Sequence, residues 1–466
     1  MESGATTRAQ QNDAGVAAPP QQLARKVPPL ARRSFLCAAA ASVTAARRLR
    51  GDDGRPPVTS PRATAFDARV EPDWEERITV TVGPEGSDIV GTGQRALQGA
   101  IDQVARLGGG TVQIGPGRYV LRAAVHLRCG VRLVGSGPDT VITKIPSHSC
   151  GLAADSDWYD REITLTPGHG FRVGDSICLR SLNPHDGGQL VFKRVLVARS
   201  GDRFKLDKAL RDNVWSTGKP TVSALFPLLS GEEIENVVLE NLHLDGDRVN
   251  NENLDGNYSG CIFLQDCRDV AIRGVEARNS NGDGISFQIC HDIVVEGCTS
   301  RDHAGLGLHP GSGSQRPLMR SNTLAGNSIG IFFCWGVKYG LAEDNDCSGN
   351  DVGISIGHRD TDNVVRGNRI AGSRTVGLLF RPERGATFCG HRNRIDGNTF
   401  ADNGGDAAAV IDVQGGTEEV ALVGNTITES RGAAMRVGIR LGADTKNIRL
   451  DGNSITGVAT PVERLS

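Results

Sequence analysis

A short phrase of alternating apolar residues, each copy opened by a glycine, recurs along the carboxyl-terminal half of the chain. The copies begin at Gly260, Gly284, Gly305, Gly330, Gly353 and Gly377, with spacings of 24, 21, 25, 23 and 24 residues. The first and third residues after each glycine are apolar, as in Ile285 and Phe287. Because side chains alternate across a strand, these residues are expected to point inward and the second and fourth outward. Short strands repeated at this period predict a solenoid.

A second apolar segment lies between these phrases and gives each repeat another strand. Examples are Val270–Gly274, Ile293–Gly297 and Val420–Asn425. Turn asparagines, which tolerate left-handed backbone and can stack in ladders, recur at Asn327, Asn350, Asn368, Asn398, Asn425 and Asn453. Equivalent strands of neighbouring repeats should pair in parallel, about 4.8 Å apart. The pattern therefore predicts an all-β fold, a single-stranded parallel β-helix (solenoid) over residues 230–466.

The segments before these repeats have other patterns. Residues 93–102 have the spacing of a short amphipathic helix, which can cap the open end of a solenoid. Residues 78–150 are therefore predicted to form an amino-terminal helical cap and the first turns. Residues 151–229 break the rhythm, and strands such as Phe171–Leu179 predict a small β-rich insertion. Residues 51–77 are predicted to be a linker.

The first 50 residues have the composition of a targeting segment. Arg32 and Arg33 are followed by Phe35 and Leu36, then by a weakly apolar run of small residues from Ala38 to Ala46. This order resembles a twin-arginine export signal, so residues 1–50 are predicted to be a disordered leader of a secreted protein. The apolar run is too short to span a bilayer, and no membrane span is expected.

Composition narrows the function. Sixty glycines among 466 residues suit a fold of many tight turns. The formal net charge of −2 excludes a strongly basic protein, so no nucleic-acid partner is expected. The eleven cysteines form no CxxC pair and no Cys/His ligand spacing, so no metal–thiolate site is predicted. Cys267 and Cys290 occupy matching places in consecutive repeats, so they are as readily stacked small apolar side chains as disulfide partners.

The helix, the Gly108–Gly110 run, the Pro116–Tyr119 turn and the Leu133–Gly137 strand together resemble the opening of the pectin/pectate-lyase-like superfamily. With the repeats, the resemblance covers residues 78–150 and 230–460. It implies a right-handed parallel β-helix that holds an extended polysaccharide in a lateral groove. Enzymes of this kind place acids, or an arginine or lysine base, on adjacent turns.

The segment Asn281–Ile285 is similar to a turn of polygalacturonases in which the aspartate is catalytic. The likeness implies that Asp283 is a general acid. The paired aspartates of the next turn have no counterpart in residues 302–305, and Val352 stands where those enzymes have histidine. The resemblance to a two-carboxylate hydrolase is therefore incomplete.

Polar residues interrupt five successive repeats at one edge. The outward column is expected to read Gln288, His309, Cys334, Gly357 and Arg381. His309 and His358 can act as acid or base near neutral pH and should lie two turns, roughly 10 Å, apart. Arg381 can neutralise a uronate carboxylate.

These considerations give a candidate site. The expected catalytic residues are Asp283, His309, His358 and Arg381. The expected substrate-binding residues are Asp302, His303, Trp335, Lys338, Tyr339, Arg359, Asp360, Glu383 and Arg384. No cofactor is required by this chemistry. Calcium is a candidate ligand of the polar loop Asp245–Tyr258, which has calcium-type side chains without the spacing of an EF-hand.

Three functions are compatible with the sequence. The first is a polysaccharide lyase, or a related uronate-active enzyme, which uses the histidine and arginine edge. The second is a glycoside hydrolase that pairs Asp283 with Asp302, Asp360 or Glu383. The third is a non-catalytic solenoid that only binds carbohydrate. In each case the partner is a polysaccharide, and the sequence leaves the oligomeric state open.

Overall fold

The structure, a computed structural model, describes residues 71–432 and 434–466. The predicted export signal and most of the predicted linker lie outside the described residues. Within the described part, each turn of the chain adds one strand to each of three parallel sheets, which we number in chain order within a turn. Among these residues, no helix combines the length and the apolar character that a bilayer span requires.

Sheet 1 carries the glycine-led phrases of the sequence. Its strands are Val125–His126, Leu229–Glu232, Ile262–Gln265, Ile285–Gln288, Leu306–Gly311, Ile329–Phe332, Val352–Ile356, Val376–Phe380, Ala409–Val413, Val437–Leu441 and Thr460–Arg464. Residues predicted to point inward, such as Phe287, Ile331 and Ile354, are fully buried. Alternation along each strand therefore supplies one row of side chains to the core and one to the outer surface.

Sheets 2 and 3 complete each turn. The strands of sheet 2 are Ile78–Gly83, Ile89–Val90, Gly110–Ile114, Val131–Val134, Glu235–Glu240, Arg268–Arg273, His291–Glu296, Leu318–Arg320, Leu341–Glu343, Val364–Arg366, Arg394–Asp396, Ala421–Val423 and Arg449–Asp451. The strands of sheet 3 are Gly117–Leu121, Thr140–Lys144, His243–Asp245, Glu276–Arg278, Thr299–Arg301 and Thr323–Ala325, then Arg369–Ala371, Thr399–Ala401, Thr426–Thr428 and Ser454–Thr456. All three sheets face one continuous apolar core.

The amino-terminal cap is the α-helix Gln94–Arg106. Its apolar face, which includes Leu97, Ile101 and Val104, is buried against the first turns, as the amphipathic spacing predicted. Short 3-10 helices lie at Trp74–Glu76, Gly137–Asp139, Ser216–Gly218, Arg248–Asn250 and Ala386–Phe388. The α-helix Gln94–Arg106 covers the end of the apolar core and keeps water from it, as the open end of a solenoid requires.

A small β insertion is present, as predicted. Its strands form an antiparallel arrangement: Ser149–Gly151, Glu162–Thr164, Ser176–Leu182, Gln189–Ser200, Arg203–Leu206 and Thr221–Ser223. It has its own buried cluster, which contains Phe171, Leu179 and Phe204. The insertion is therefore a compact unit beside the solenoid and not a long loop.

The turn asparagines resolve into separate ladders. Between sheets 2 and 3, the ladder reads Asn322, Asn345, Asn368, Asn398, Asn425 and Asn453. Asn327 and Asn350 belong to a second ladder, on the far side of sheet 3. Each side chain bonds the next turn, where water cannot replace it. The single asparagine series read from the sequence therefore combined two sides of the solenoid.

The glycine predicted to open one of the repeats was wrong. The glycine equivalent to Gly284 and Gly330 is Gly307 and not Gly305, because Leu308 pairs with Ile285 and Ile331. With Gly307, the neighbouring spacings are both 23 residues. His309 still points outward. It is, however, the second residue after its glycine, whereas the predicted outward column contains the fourth residue of each repeat, such as Gln288.

The ladder between sheets 2 and 3 yields a stability test at Asn368. Its amide donates to Ala342 O and Asn398 Oδ1, both at 2.9 Å, and its oxygen accepts from Asn345 N at 2.9 Å. Asn368→Ala leaves these buried partners unsatisfied, so we expect it to lower the free energy of unfolding by at least about 2 kcal/mol. Denaturant unfolding measures this loss. Asn257→Ala, at an exposed position, is the control, and equal losses for the two variants would contradict the role of the ladder.

Candidate functional site

Sheet 1 directs a row of side chains from successive turns away from the core, and we call this surface the groove face. The row reads Phe263, Ser286, His309, Phe332, Ser355, Leu379 and Asp412. A second outward row holds Gln265, Gln288 and Gly311. Because parallel turns stack about 4.8 Å apart, residues adjacent in a row are within reach of one another.

Asp283 and His309 meet on this face. Asp283 lies just before one strand of sheet 1 and His309 lies within the next, so stacking of the two turns brings Asp283 Oδ2 to 2.7 Å from His309 Nδ1. Asp283 Oδ1 accepts a hydrogen bond from Leu306 N at 3.0 Å. Each residue is 3% exposed. Both carboxylate oxygens are therefore engaged, and the imidazole is held in one orientation.

Two buried polar atoms, one in this pair and one next to it, have no hydrogen-bond partner among the described residues. They are His309 Nε2 and Gln288 Oε1. Gln288 Nε2 donates to Ser286 Oγ at 3.0 Å, and Ser286 Oγ lies 3.5 Å from His309 Nδ1. Leaving a buried polar atom unpaired costs about 1–3 kcal/mol. With Nδ1 donating to Asp283, both atoms are acceptors, and a ligand hydroxyl or an acidic C–H is the group that complements them.

The loop Asp245–Tyr258 covers the carboxylate of Asp283. Gly256 O accepts the Ser286 hydroxyl at 2.6 Å. A Cβ atom at Gly256 would overlap the Asp283 carboxyl group, so only glycine permits this approach. The loop therefore shields Asp283 from water and holds Ser286 beneath it.

A second cluster lies further along the solenoid, around Arg381. The guanidinium donates from Nε to Glu383 at 3.1 Å, from NH1 to Ser355 Oγ at 2.8 Å and from NH2 to Phe333 O at 3.0 Å. Asp360 Oδ2 lies 3.3 Å from NH2. Every nitrogen of Arg381 is thus occupied by the protein. In this arrangement Arg381 holds Glu383 in place, and one N–H group of Nη1 remains for a ligand.

His358 and Trp335 stand beside Glu383. His358 Nδ1 is 3.4 Å from Glu383 Oε2, and the His358 ring stacks on Trp335 with centroids 4.1 Å apart. Trp335 has φ 67° and His358 has φ 44°, in the left-handed region that residues with a Cβ atom avoid. Ile289 and Ser312, at the equivalent places of the two preceding turns, have the same conformation, so it belongs to the repeat. Trp335 remains 55% exposed and offers an aromatic surface to a ligand.

Phe332 connects the two clusters. The His309 ring contacts it edge to face at 5.4 Å, and the Arg381 guanidinium lies over it at 4.5 Å. The groove face is therefore continuous from Asp283 to Trp335. The candidate site predicted from the sequence did not include Ser286, Phe332 and Ser355. Starting that repeat at Gly307 would have identified them as outward neighbours of His309.

Several predicted binding residues lie elsewhere or are inaccessible. Asp360 is fully buried and accepts from Gly336 N, Val337 N and Gly357 N at 2.9–3.0 Å. Burial raises the pKa of Asp360 to about 7 against the opposing effect of Arg381. Asp302 is exposed and pairs with Arg301 at the turn after sheet 3. Neither residue offers a side chain to the groove face.

Four further predicted binding residues lie at the rim. Tyr339 is 60% exposed and Lys338 is half-buried. Arg384 is exposed, and the Arg359 guanidinium stacks over Phe388 at 4.0 Å. Their side chains border the second cluster without contacting Asp283 or His309. They are accessible to a long ligand and remain predictions.

His303 is a core residue and not a groove residue. Its Nδ1 accepts from Ser280 N at 3.0 Å, and its Nε2 lies 3.1 Å from Ser300 Oγ. The side chain is 2% exposed, and burial lowers its pKa to about 3. The neutral imidazole fills the turn between sheets 3 and 1.

No three histidine, cysteine, aspartate or glutamate side chains converge as a metal site anywhere in the described ranges. In the loop proposed for calcium, Asp245 pairs with Arg278 and Asp247 accepts from the Asn250 amide. Asp255 accepts from Asn257 N. Each of these carboxylates is engaged by a group of the protein itself. These contacts account for the polar composition of the loop without calcium.

His303 makes stability depend on pH in a defined direction. The unfolded imidazole takes up a proton near pH 6.5 and the folded one only near pH 3, so the free energy of unfolding falls as the pH drops below about 6.5. The expected loss between pH 7 and pH 5 is about 2 kcal/mol. His303→Asn should be less stable than wild type at pH 7 and lose less on acidification, measured by denaturant unfolding. His291→Asn, at an exposed position, should keep the wild-type pH dependence; identical slopes for all three proteins would refute the assignment.

The comparisons with known proteins agree with this architecture. The family model described as NosD, periplasmic copper-binding protein, matches residues 212–418. No curated protein sequence matches the chain. The A-module of Azotobacter vinelandii mannuronan C-5 epimerase AlgE4 superposes with a TM-score of 0.54 at 19% identity, covering 82% of this chain and 99% of that one.

Two other solved structures superpose similarly. The A-module of Azotobacter vinelandii mannuronan C-5 epimerase AlgE6 gives a TM-score of 0.52 at 18% identity, covering 79% of this chain and 91% of that one. A structure titled glycoside hydrolase gives 0.50 at 10% identity, covering 82% and 97%. At these identities the likeness concerns the fold.

The residues of this chain do not fit the copper in the matched family's description. Copper sites use imidazole and sulfur ligands. The described residues bring no three such side chains together. Burial raises the pKa of the Cys334 thiol beside the groove face to about 12, which opposes thiolate ligation. The repeat fold is what this chain shares with the superposed structures: it is a right-handed parallel β-helix protein of the pectate-lyase-like fold.

Proposed function

We propose that the protein is an exported polysaccharide-active enzyme that binds an extended, uronate-containing glycan along the groove face and cleaves it as a lyase. One observation carries the proposal. His309 Nε2 is buried without a partner among the described residues, on an imidazole whose Nδ1 lies 2.7 Å from Asp283. A carboxylate that fixes the tautomer of a histidine leaves the opposite nitrogen as an oriented base.

Lyase chemistry needs such a base. The C5 proton of a uronate is acidified by the adjacent carboxylate, and a positioned imidazole can accept it near neutral pH. The electrons of the C5–H bond then form the C4–C5 double bond as the C4–O bond to the neighbouring sugar breaks. The departing oxygen keeps the electron pair of that bond and takes a proton from water. Gln288 Oε1, the second unpaired acceptor, is available to a sugar hydroxyl. Trp335 provides a surface on which a sugar ring can stack.

A hydrolase is less well supported by the same residues. Two carboxyl groups must flank the scissile bond, and one must stay protonated as the acid. Asp283 is paired with His309, and Glu383 is held by Arg381. Asp360, whose pKa is raised to about 7, has no exposed surface. The carboxylate oxygens of Asp283 and Glu383 are thus engaged by protein groups, and Asp360 is out of reach of a ligand.

The proposal that the protein is exported depends on the paired arginines of the predicted leader. The matched family description also names a periplasmic protein, which is consistent with activity outside the cytoplasm. The substrate would then be an extracellular or cell-wall glycan.

Substitutions of the Asp283–His309 pair test the proposed base. His309→Ala removes the proton acceptor and Asp283→Asn removes the group that orients it, so both should lower kcat by about 10²–10⁴-fold. The assay is the ultraviolet absorbance of the unsaturated product from polymannuronate and polygalacturonate. His291→Ala, at an exposed histidine on sheet 2, should retain full activity. New reducing ends without ultraviolet absorbance would favour a hydrolase, and no product from a broad glycan panel would contradict both the lyase and the hydrolase.

Trp335 tests the binding surface separately from the chemistry. Trp335→Ala removes the stacking surface, so we expect KM to rise about three- to tenfold with kcat little changed. Steady-state kinetics on the same glycan measure both constants. Trp158→Ala is the matched control, because Trp158 is 53% exposed on the insertion and should leave KM unaltered. A fall in kcat with constant KM would place Trp335 in the chemical step.

A further inference from the structure

A cavity of about 700 Å³ lies between the insertion and the amino-terminal end of the groove face. Sheet 1 contributes outward residues, among them Ser230, Glu232 and Gln265, and the insertion contributes Lys193 from its longest strand. Tyr258, from the loop that covers Asp283, also lines the cavity. The cavity therefore extends the groove face, and the β insertion forms one of its sides.

Lys193 reaches out of the insertion onto the solenoid. Its Nζ lies 3.8 Å from the ring centroid of Phe263, which belongs to the outward row of the groove face. Nζ is buried and forms no hydrogen bond with the described residues, although Glu232 Oε1 lies 3.5 Å away. Lys193 is therefore held by this ion pair and by the Phe263 ring, without a short hydrogen bond among the described residues. Burial correspondingly lowers the pKa of Lys193.

The position of Lys193 relative to the proposed base follows from the register. Phe263 is adjacent to Ser286, and Ser286 is adjacent to His309. Lys193 therefore stands two turns, roughly 10 Å, from His309 along the groove. The second row connects them as well, since Gln265 pairs with Gln288. One extended chain can span both positions.

The charge of the cavity favours an anion. Its lining contains four basic residues, Arg128, Lys193, Arg194 and Lys208, and two acidic ones, Asp207 and Glu232. Lys193 and Lys208 share the single carboxylate of Glu232, each at 3.5 Å. The Arg194 guanidinium donates only to backbone carbonyls. The positive charge is therefore not fully neutralised, in a partly enclosed site where charges are weakly screened.

We propose that this cavity binds a carboxylate-bearing sugar and that Lys193, supplied by the insertion, is the residue that selects acidic over neutral glycans. The inference deepens the proposed function, because it takes the groove to be a glycan site and names the charge of its occupant. The sugar carboxylate supplies Nζ with a closer acceptor than Glu232, whose carboxylate Lys193 shares with Lys208. Glu232 occupies the role of that carboxylate when no glycan is bound. Arg381 is less suited to this role, because each of its nitrogens already donates to the protein.

Binding, measured apart from turnover, tests this assignment. The probes are polymannuronate and polygalacturonate as acidic chains and dextran as a neutral chain, applied by affinity electrophoresis to the full-length protein carrying His309→Ala. In that background Lys193→Met, which keeps most of the stem and removes the charge, should weaken binding of at least one acidic chain tenfold or more. Lys205→Met is the matched control, because Lys205 pairs with Glu162 and does not line the cavity, and its binding should not change.

Glu232→Gln distinguishes selection by charge from a structural role. It removes the internal competitor for Lys193 and Lys208, so acidic chains should bind several-fold more tightly, whereas a merely damaged cavity would bind them less. Lys193→Arg, which retains the charge, should bind within about threefold of the parent. Unchanged affinity in Lys193→Met, weaker affinity in Glu232→Gln, equal binding of dextran or no binding of either acidic chain would each overturn the inference.

The outcomes separate this inference from the proposed function. Acidic chains that bind through Lys193 but are not cleaved by the wild-type protein would remove the lyase and keep the subsite. Cleavage that is indifferent to Lys193→Met in both KM and kcat would keep the lyase and remove the subsite.

Discussion

In-register stacking of each turn on the next is the constraint on which this structure depends. Inside the solenoid, Asn345, Asn368 and Asn398 bond one another through side chain and backbone, in a region that water does not reach. A shift of one residue would turn apolar side chains outward and separate these amides. Because the ladders hold the register, they also determine which outward side chains of neighbouring turns meet.

The groove face shows two contrasting uses of that register. Around Arg381, each guanidinium nitrogen donates to a protein acceptor, and the result is a support for Glu383. Around His309, one nitrogen is fixed by Asp283 and the other is left buried and unpaired. A protein core normally satisfies its polar groups. The unsatisfied atoms, and not the most highly charged cluster, are therefore the stronger indication of where a ligand belongs.

The segments that depart from the repeat supply what a regular solenoid cannot. The loop containing Gly256 closes over Asp283, and the insertion extends Lys193 across Phe263. Stacked turns provide fixed positions along one axis, whereas a lateral wall has to come from chain outside the repeat. The insertion, with its own buried cluster, is rigid enough to hold a buried ammonium group against that axis.

The amino-acid sequence by itself determined the repeat, the inward and outward alternation, the capping helix and the presence of a β insertion, because each depends on local periodicity. It also identified Asp283 and His309 as neighbours on one face. Only the tertiary structure separated two asparagine ladders, moved His303 into the core and engaged every nitrogen of Arg381. Those outcomes depend on partners in other turns and on loop lengths that shift the phase between them. Lys193 lies 70 residues before Phe263 in a segment without repeats, so no local pattern could bring the two together.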